Sequence, residues 1–291
     1  MSKNELVFLG TGPAWGTPVL NCTCPACIRA RNGNDPRDTR QRTALYLVIN
    51  DEKFLIDAGP DIRAQLQREN VTKVDHLLLT HSHADHINGL DELTPLVTED
   101  APIPTYASDA TWAIVERRFN YLTGRVLERH PALHGVELIG PKCRVTPFAV
   151  EHGPTAPGSL GFIFEWDIRN GERAKLMYTG DFFDVPWPDA RLSGADTVVM
   201  ESNWFNEPAV MPSSWHMSFQ RARRFIKQWA PKEVFLVHMS HEDNTRTAKA
   251  PLTQAILAGH QCWQDQVSVV ATREGLPQIT VAFDGLRVPL P

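Results

Sequence analysis

The sequence predicts an α/β fold in which β-sheets are flanked by helices, within one domain that spans residues 1–291. Short apolar runs rich in Val, Ile, Leu and Phe recur along the chain, and most end at Gly, Pro, Asp or Asn, as strands do. Residues 110–121 and 218–229 have the 3.6-residue apolar period of amphipathic helices, and residues 61–68 form a shorter helical pattern. The expected strands lie at residues 6–9, 44–49, 54–56, 77–79, 145–150, 162–164, 198–200, 234–237 and 279–283.

The composition is that of a globular protein, with 42% hydrophobic and 22% charged residues. A net charge of −5 excludes a general basic surface for nucleic acid. A local phosphate-binding patch stays open in one arginine-rich stretch, although a solvated loop is the favoured interpretation. Its members are Arg29, Arg31, Arg37, Arg40 and Arg42.

The chain has no apolar run near the ~18 residues that a membrane span needs. Its first residues run into a strand-like segment without the pattern of a signal peptide. We therefore expect a cytoplasmic protein that does not bind membranes, and a homodimer stays open.

One short motif carries the strongest chemical signal. The strand-like run 75–80 leads directly into His81, His83, Asp85 and His86, in the pattern His-x-His-x-Asp-His. Alternate residues of an extended segment point the same way, so His81 and His83 are expected to hold one ion, while Asp85 and His86 face a neighbouring ion. Imidazole and carboxylate without thiolate suit zinc, manganese or iron. The alternative is a polar surface loop that happens to contain several histidines.

Three further candidate ligands follow strand-like runs later in the chain. They are His152, Asp181 and His238. The ends of buried strands are where α/β folds collect functional side chains from distant parts of the chain. Each residue alone could equally be a cap or a hydrogen-bonded side chain, but together with the motif they indicate a site for two metals.

A second group of metal-ligand type lies near the N-terminus. Cys22, Cys24 and Cys27 provide three thiols within six residues, and this spacing indicates metal in a reducing compartment. One more donor would complete a closed tetrahedral zinc site of the structural kind, and His241 is the favoured fourth ligand. Three ordinary thiols in a loop are the alternative.

Taken in order, these motifs resemble the metal-ligand motifs of the metallo-β-lactamase fold superfamily. The resemblance implies a four-layer αβ/βα sandwich with two mixed sheets and helices outside. It also implies that Asp85 is catalytic as well as a ligand, and that Asp57, in the segment 55–59, orients a ligand; capping of the helix at 61–68 is the alternative role for Asp57. The implied ligand sets are His81, His83 and His152 for one metal, Asp85, His86 and His238 for the other, and Asp181 as the bridge.

The cysteine run narrows the resemblance. Together with the opening segment 8–12, the pair His238 and His241 and the segment 282–286, it looks like the PhnP-type cyclic phosphodiesterases. That group implies hydrolysis of a small phosphodiester such as phosphoribosyl cyclic phosphate, with two divalent ions (zinc or manganese) and one structural zinc. PqqB-type proteins of cofactor biosynthesis share the cysteines but tend to have a degraded metal motif, so they rank second. Segments 109–135 and 245–275 look longer than in PhnP-type proteins, which leaves the substrate open.

The expected reaction is attack on phosphorus by a hydroxide activated between two metals. His216 is the candidate that protonates the leaving oxygen or binds phosphate, because it precedes the helical pattern 218–229 and matches a histidine of PhnP-type and tRNase Z-type enzymes. A helix cap or a surface residue is the alternative for His216.

Other functions remain open for this set of motifs. A tRNase Z-like nuclease shares several of them, but the acidic balance and the cysteine run disfavour it. A flavodiiron-type oxidoreductase usually has a carboxylate where this chain has His83. Thioester and lactam hydrolysis use the same metals. A binding module without catalysis is disfavoured, because buried acids and imidazoles without a metal are costly.

Overall fold

The computed structural model describes most of the chain, and two mixed sheets dominate it. The described residues are 4–97, 101–138, 140, 142–168, 171–187, 189–209, 215–242, 248, 250–255 and 257–291. The first sheet comprises β1 (Glu5–Gly10), β2 (Ala44–Ile49), β3 (Glu52–Ile56), β4 (His76–Leu78), β5 (Ile103–Ala107), β6 (Leu127–Pro131) and β13 (Arg287–Pro289). The second comprises β7 (Arg144–Ala149), β8 (Leu160–Asp167), β9 (Arg173–Tyr178), β10 (Thr197–Glu201), β11 (Glu233–Val237) and β12 (Gln278–Val281).

Each sheet has an antiparallel part and a parallel part. The strand orders are β13-β1-β2-β3-β4-β5-β6 and β12-β11-β10-β9-β8-β7. In the first sheet the strands from β3 to β6 are parallel, and in the second sheet those from β9 to β12 are parallel. Parallel strands present their carboxyl ends at one edge, so each sheet can deliver several loops to the same place.

Aromatic side chains fill the space between the two sheets. Phe8 lies 5.4 Å from Phe235 between ring centroids, and Phe54 lies 5.5 Å from Phe164, each pair joining the first sheet to the second. All of these rings are 5% exposed or less. Burial of each such side chain contributes about 1.5–3 kcal/mol, so this layer fixes the face-to-face packing of the sheets.

Helices cover the outer faces. The six α-helices of the described residues are α1 (Pro25–Asn32), α2 (Ile62–Arg68), α3 (Ala84–Ile87), α4 (Asp109–Arg118), α5 (Phe219–Trp229) and α6 (His260–Glu274). α2 and α4 bury Leu66 and Trp112 in a core outside the first sheet. α5 and α6 bury Phe225 and Trp263 in a core outside the second. The order helix, sheet, sheet, helix confirms the predicted four-layer αβ/βα sandwich.

The predicted helices at 61–68, 110–121 and 218–229 correspond to α2, α4 and α5. α5 begins after Ser218, whose side chain accepts a hydrogen bond from the backbone N–H of Arg221, the usual signal of a helix start. α1, α6 and the short strands β5, β6 and β13 were not predicted. Of the two segments that look long, 109–135 contains α4 and β6, and 245–275 contains α6. Residues 245–247, 249 and 256 lie outside the described residues.

The arginine-rich stretch, for which a solvated loop was favoured and a phosphate site left open, has its guanidinium groups engaged within the protein. Three of them form ion pairs: Arg29 with Asp38, Arg37 with Asp35, and Arg42 with Asp61. Arg31 donates to two backbone carbonyls, and Arg40 is buried. These arginines fasten the N-terminal loop to the rest of the fold. Within the described residues, no helix is long and apolar enough to cross a membrane.

Arg40 makes folding sensitive to the protonation of one histidine. Its guanidinium donates to the Thr11 hydroxyl (2.7 Å), to the Ala282 carbonyl (2.6 Å) and to Nδ1 of His260 (3.1 Å). Burial and the charge of Arg40 lower the pKa of His260 to about 3. The unfolded histidine takes up its proton below about pH 6.5, so this contact loses stability as the pH falls from 6.5 toward 3.

We therefore predict that wild type loses more free energy of unfolding between pH 7 and pH 5 than the His260→Gln variant does. Glutamine can still accept the hydrogen bond from Arg40 but takes up no proton. Urea unfolding at the two pH values measures the difference, and the metal-ligand histidines cancel because both proteins contain them. Identical pH dependences would contradict the assignment.

Candidate metal centre

Loops that follow strands of both sheets meet at one edge of the sandwich. His81, His83, Asp85 and His86 lie in and before α3, directly after β4. The residues that follow strands of the second sheet are His152 after β7, Asp181 after β9 and His238 after β11. The structure therefore brings together all seven predicted ligands, although their role as ligands stays a prediction.

The seven side chains form two adjacent groups. The potential ligand atoms of His81, His83 and His152 lie within 4.8 Å of one another, and so do those of Asp85, His86, Asp181 and His238. Asp181 reaches both groups. Its Oδ2 lies 3.0 Å from His238 Nε2, 3.3 Å from His86 Nε2 and 3.8 Å from His152 Nε2. This is the position that the resemblance implied for a bridging carboxylate.

Several of these atoms fit a bound cation better than a hydrogen-bond network. Within the described residues, Nε2 of His81 and His86, both ring nitrogens of His238 and both carboxylate oxygens of Asp181 are buried without a well-aligned hydrogen-bond partner. Buried polar atoms are rarely left so, because the cost is roughly 1–3 kcal/mol for each group. Donor atoms that converge at short range without hydrogen-bond alignment are the arrangement that divalent metals require.

Hydrogen bonds on the far sides of the rings fix which nitrogen faces the centre. His86 donates its Nδ1–H to Asp57 (2.7 Å), and His152 donates its Nδ1–H to the carbonyl of Trp215 (2.8 Å). Thr80 donates its hydroxyl to Asp57, so its oxygen is free to accept Nδ1–H from His81 (2.9 Å). These tautomers follow from the bonding network, and each leaves an Nε2 lone pair for a metal.

Asp57 acts on the histidines rather than on the helix that follows it. Its carboxylate accepts from the backbone N–H of Thr80 as well as from the Thr80 hydroxyl and His86. The alternative role as a cap of α2 is therefore wrong, since these partners occupy the carboxylate. Asp57 has a φ of 63°, in the left-handed region that costs energy for a residue other than glycine, and these three bonds hold it there.

The carboxylates of the candidate centre carry buried negative charge that needs compensating positive charge. Burial would raise the pKa of Asp181, but His238 and His86 outweigh burial and hold that pKa well below its usual range. Burial would likewise lower the pKa of His238, but Asp181 outweighs it and raises the pKa to about 10. Without a metal, protons on the imidazoles compensate the carboxylates. A divalent ion replaces those protons, so binding releases protons and weakens in acid.

Glu201, at the end of β10, was missed by the sequence reasoning. It is fully buried, and its Oε1 lies 2.5 Å from Nδ1 of His216 and 3.6 Å from Nδ1 of His238. Its other oxygen accepts the backbone N–H of Phe182 (2.5 Å). The sequence did contain a signal for Glu201, because this acid ends an apolar run, and the candidate ligands likewise follow apolar runs.

His216 lies beside the cluster, as predicted for a residue that acts on a substrate there. Its Nδ1 is 3.9 Å from Asp181 Oδ2, and its ring centroid is 4.8 Å from that of His152. Burial would lower the pKa of His216, but the carboxylate of Glu201 outweighs it and raises the pKa. The alternative role as a helix cap is wrong, because Ser218 caps α5.

Trp215, which directly precedes His216, packs against the segment that follows His152. A Cβ on Gly153 would lie 2.4 Å from the indole of Trp215, so only glycine permits this packing. The Trp215 carbonyl holds His152, and its side chain packs at this contact. Trp215 therefore sets the position of His216 relative to a candidate ligand.

Cys22, Cys24, Cys27 and His241 form a separate candidate metal group, with ligand atoms within 4.8 Å of one another. Nδ1 of His241 lies 3.5 Å from Cys22 Sγ and 3.3 Å from Cys24 Sγ. Donors on a tetrahedral zinc ion lie about 3.5 Å apart, so the set fits zinc. Burial raises the pKa of Cys27 to about 12, and a zinc ion would supply the charge needed to deprotonate it.

We predict that Cys24→Ser removes one zinc ion per chain and lowers the melting temperature. The matched control is Cys262→Ser, since Cys262 is exposed and lies on α6. Metal analysis of the purified proteins together with thermal unfolding measures both effects. Equal zinc contents in Cys24→Ser and Cys262→Ser would exclude the site.

A two-group cluster of imidazoles and carboxylates at the edge of an αβ/βα sandwich defines the class of metallo-β-lactamase-fold proteins, most of which are metal-dependent hydrolases. The chain belongs to this superfamily: the family described as "Beta-lactamase superfamily domain" matches residues 52–239.

Solved structures of two related groups superpose on nearly the whole chain. A diphosphatase from the PhnP family has a TM-score of 0.73 and 26% identity, covering 99% of this chain and 97% of its own. Zinc-bound PqqB from Methylobacterium extorquens has a TM-score of 0.76 and 20% identity, covering 98% of this chain and 100% of its own. The second likeness shows the fold alone.

A curated relative is an octanoyltransferase of Porphyromonas gingivalis (strain ATCC BAA-308 / W83). It is 34% identical over 118 residues, which are 40% of this chain and 23% of that protein. The chain spans about half or less of the length of the curated relatives that it matches first.

Proposed function

We propose that this chain is a hydrolase of small phosphodiesters that uses two divalent metal ions, zinc or manganese, in the manner of PhnP-type phosphoribosyl cyclic phosphate phosphodiesterases. The observation that carries the proposal is the hydrogen-bonded pair of the buried Glu201 and the partly buried His216 beside the seven candidate ligands. In the proposal, this pair supplies a proton donor next to a site suited to phosphate oxygens. The 26% identity to a PhnP-family diphosphatase supports hydrolysis at phosphorus as the class of reaction.

The proposed metal ligands are divided as the two groups suggest. His81, His83 and His152 would hold one ion, Asp85, His86 and His238 the other, and Asp181 both. Cys22, Cys24, Cys27 and His241 would hold a structural zinc. When bound, the two catalytic ions supply a hydroxide at neutral pH and neutralise charge on the phosphate. The free thiols favour a reducing compartment such as the cytoplasm, and residues 1–291 are proposed to act as one domain.

His216 and Glu201 handle the leaving group in this proposal. Glu201 accepts the Nδ1–H of His216 (2.5 Å), which keeps the second proton on Nε2. As hydroxide adds to phosphorus, one ester P–O bond breaks, and the departing oxygen takes the Nε2 proton. The products are a phosphate monoester and an alcohol. Burial would raise the pKa of Asp85, but His86 and His238 outweigh burial and hold that pKa well below its usual range. Asp85 therefore stays ionised, and its proposed catalytic role is to orient the attacking hydroxide by accepting a hydrogen bond from it.

The leaving group decides how much this proton matters. We predict that His216→Ala lowers kcat for a cyclic diester with an alkyl leaving group by roughly 10²-fold or more. With bis(p-nitrophenyl) phosphate, whose leaving group needs no proton, the loss is expected to be small. Glu201→Gln should lower kcat for the alkyl diester by part of the same factor. The double variant should have the kcat of His216→Ala, since the two residues act as a unit.

Metal content of every variant is the control. If His216→Ala slowed both diesters equally at full metal content, His216 would be a binding residue and not the acid. If wild type with its metals hydrolysed none of a panel of cyclic and linear diesters, the proposed substrate class would fail. Hydrolysis of pre-tRNA or of a lactam in the same assay would redirect it.

A further inference from the structure

His83 faces the candidate centre differently from the other histidines of the metal motif. Its Nδ1, and not its Nε2, lies on the inner side, 3.1 Å from Nε2 of His152. Its Nε2 lies on the outer side, 3.1 Å from the hydroxyl oxygen of Thr155. The ring can offer a lone pair at Nδ1 only when its single proton sits on Nε2.

The structure contains a competing arrangement that would block this lone pair. With the proton on Nδ1, His83 would donate to Nε2 of His152, because His152 already uses its own Nδ1–H on the Trp215 carbonyl. This one proton, shared between His83 Nδ1 and His152 Nε2, would then keep both nitrogens from binding a metal. The Thr155 hydroxyl on the Nε2 side of His83 can accept the Nε2–H in the arrangement in which both atoms are free, and a metal at Nδ1 selects that arrangement.

The loop that carries Thr155 is built to hold its hydroxyl there. It follows His152 and is bounded by Gly153 and Gly158, which have φ angles of 83° and 73°. The backbone N–H of Ala156 bonds to the Gly153 carbonyl (3.3 Å), and the hydroxyl of Ser159 bonds to the Ala156 carbonyl (2.8 Å). A Cβ on Gly158 would meet the Ser108 hydroxyl at 2.7 Å, so the turn is pressed against the start of α4.

We propose that Thr155 is a positioning residue for the metal centre: its hydroxyl accepts the Nε2–H of His83 and thereby directs Nδ1 to a metal. The proposal rests on the proposed metal site and goes beyond it, because Thr155 is not one of the proposed ligands. It extends the pattern in which Thr80, Asp57 and the Trp215 carbonyl hold three of the other four candidate ligand rings, those of His81, His86 and His152. Those contacts are buried or part-buried, whereas Thr155 is exposed, so it is the orienting contact most open to solvent.

The test compares Thr155→Val, which keeps the shape and removes the acceptor, with Thr155→Ser, which keeps the hydroxyl. Thr72→Val is the matched control, since Thr72 is an exposed loop threonine between α2 and β4. Zinc is titrated into each metal-free protein against a chelating indicator. We expect Thr155→Val to lower the zinc affinity of one of the two catalytic positions by about 10-fold. The zinc affinities of Thr155→Ser and Thr72→Val should match that of wild type.

A spectroscopic readout separates orientation from general damage. In the zinc-loaded proteins, ¹⁵N-histidine NMR should show a His83 Nε2–H signal in wild type and Thr155→Ser that broadens through exchange with water in Thr155→Val. Equal zinc affinities and equal signals in Thr155→Val and wild type would overturn the role of Thr155. Failure of wild type itself to bind two ions at this cluster would instead overturn the proposed metal site, and the inference with it.

Discussion

Buried charge at one edge of the sandwich is the constraint on which the rest of the structure depends. Asp57, Asp181 and Glu201 are 2% exposed or less, and Asp85 is 8% exposed. Four carboxylates in so small a volume cannot stay ionised without compensating positive charge. The imidazoles around them supply it as protons, and two divalent ions would supply it more fully. The fold around this edge is arranged to hold donors and charges at fixed distances.

The sandwich explains how chain-distant groups reach one place. Parallel strands in both sheets end at the same edge, and the aromatic layer of Phe8, Phe54, Phe164 and Phe235 fixes one sheet against the other. A shift between the sheets would separate His86 from Asp181, which come from different sheets and lie 3.3 Å apart. The cysteine group is tied to the same edge, because His241 and His238 share one loop. The packing of the two sheets therefore fixes the candidate metal centre, and the loop that contains His238 and His241 connects this centre to the cysteine group.

The residues with a local signal could be predicted from the sequence. The motif from His81 to His86 is compact, and His152, Asp181 and His238 each follow an apolar run, so strand position alone marked them. The fold class followed from the same strand pattern and from the resemblance. Glu201 occupied an equivalent position and was overlooked for lack of a motif around it.

The resemblance implied one of the contacts that orient the rings, that of Asp57, which lies 29 residues from His86. The others were not predicted: Thr80 is adjacent to its histidine, but Trp215 lies 63 residues from His152 and Thr155 72 from His83. Threonines and carbonyl groups are everywhere in a sequence, and only the tertiary fold selects the one that meets a given nitrogen. The arginines between residues 29 and 42 show the reverse case. Their charge left a phosphate site open and favoured a solvated loop, but partners remote in sequence, such as Asp61 and the carbonyl of Ala282, bind these guanidinium groups inside the protein.

The most direct test of this account is anomalous diffraction from metal-loaded crystals, recorded at the absorption edges of zinc and manganese. The account predicts three ions per chain: two that share Asp181, with His81, His83 and His152 on one side and Asp85, His86 and His238 on the other, and a zinc ion among the three cysteines and His241. No ion in contact with Asp181, or a single ion held by other residues, would contradict it.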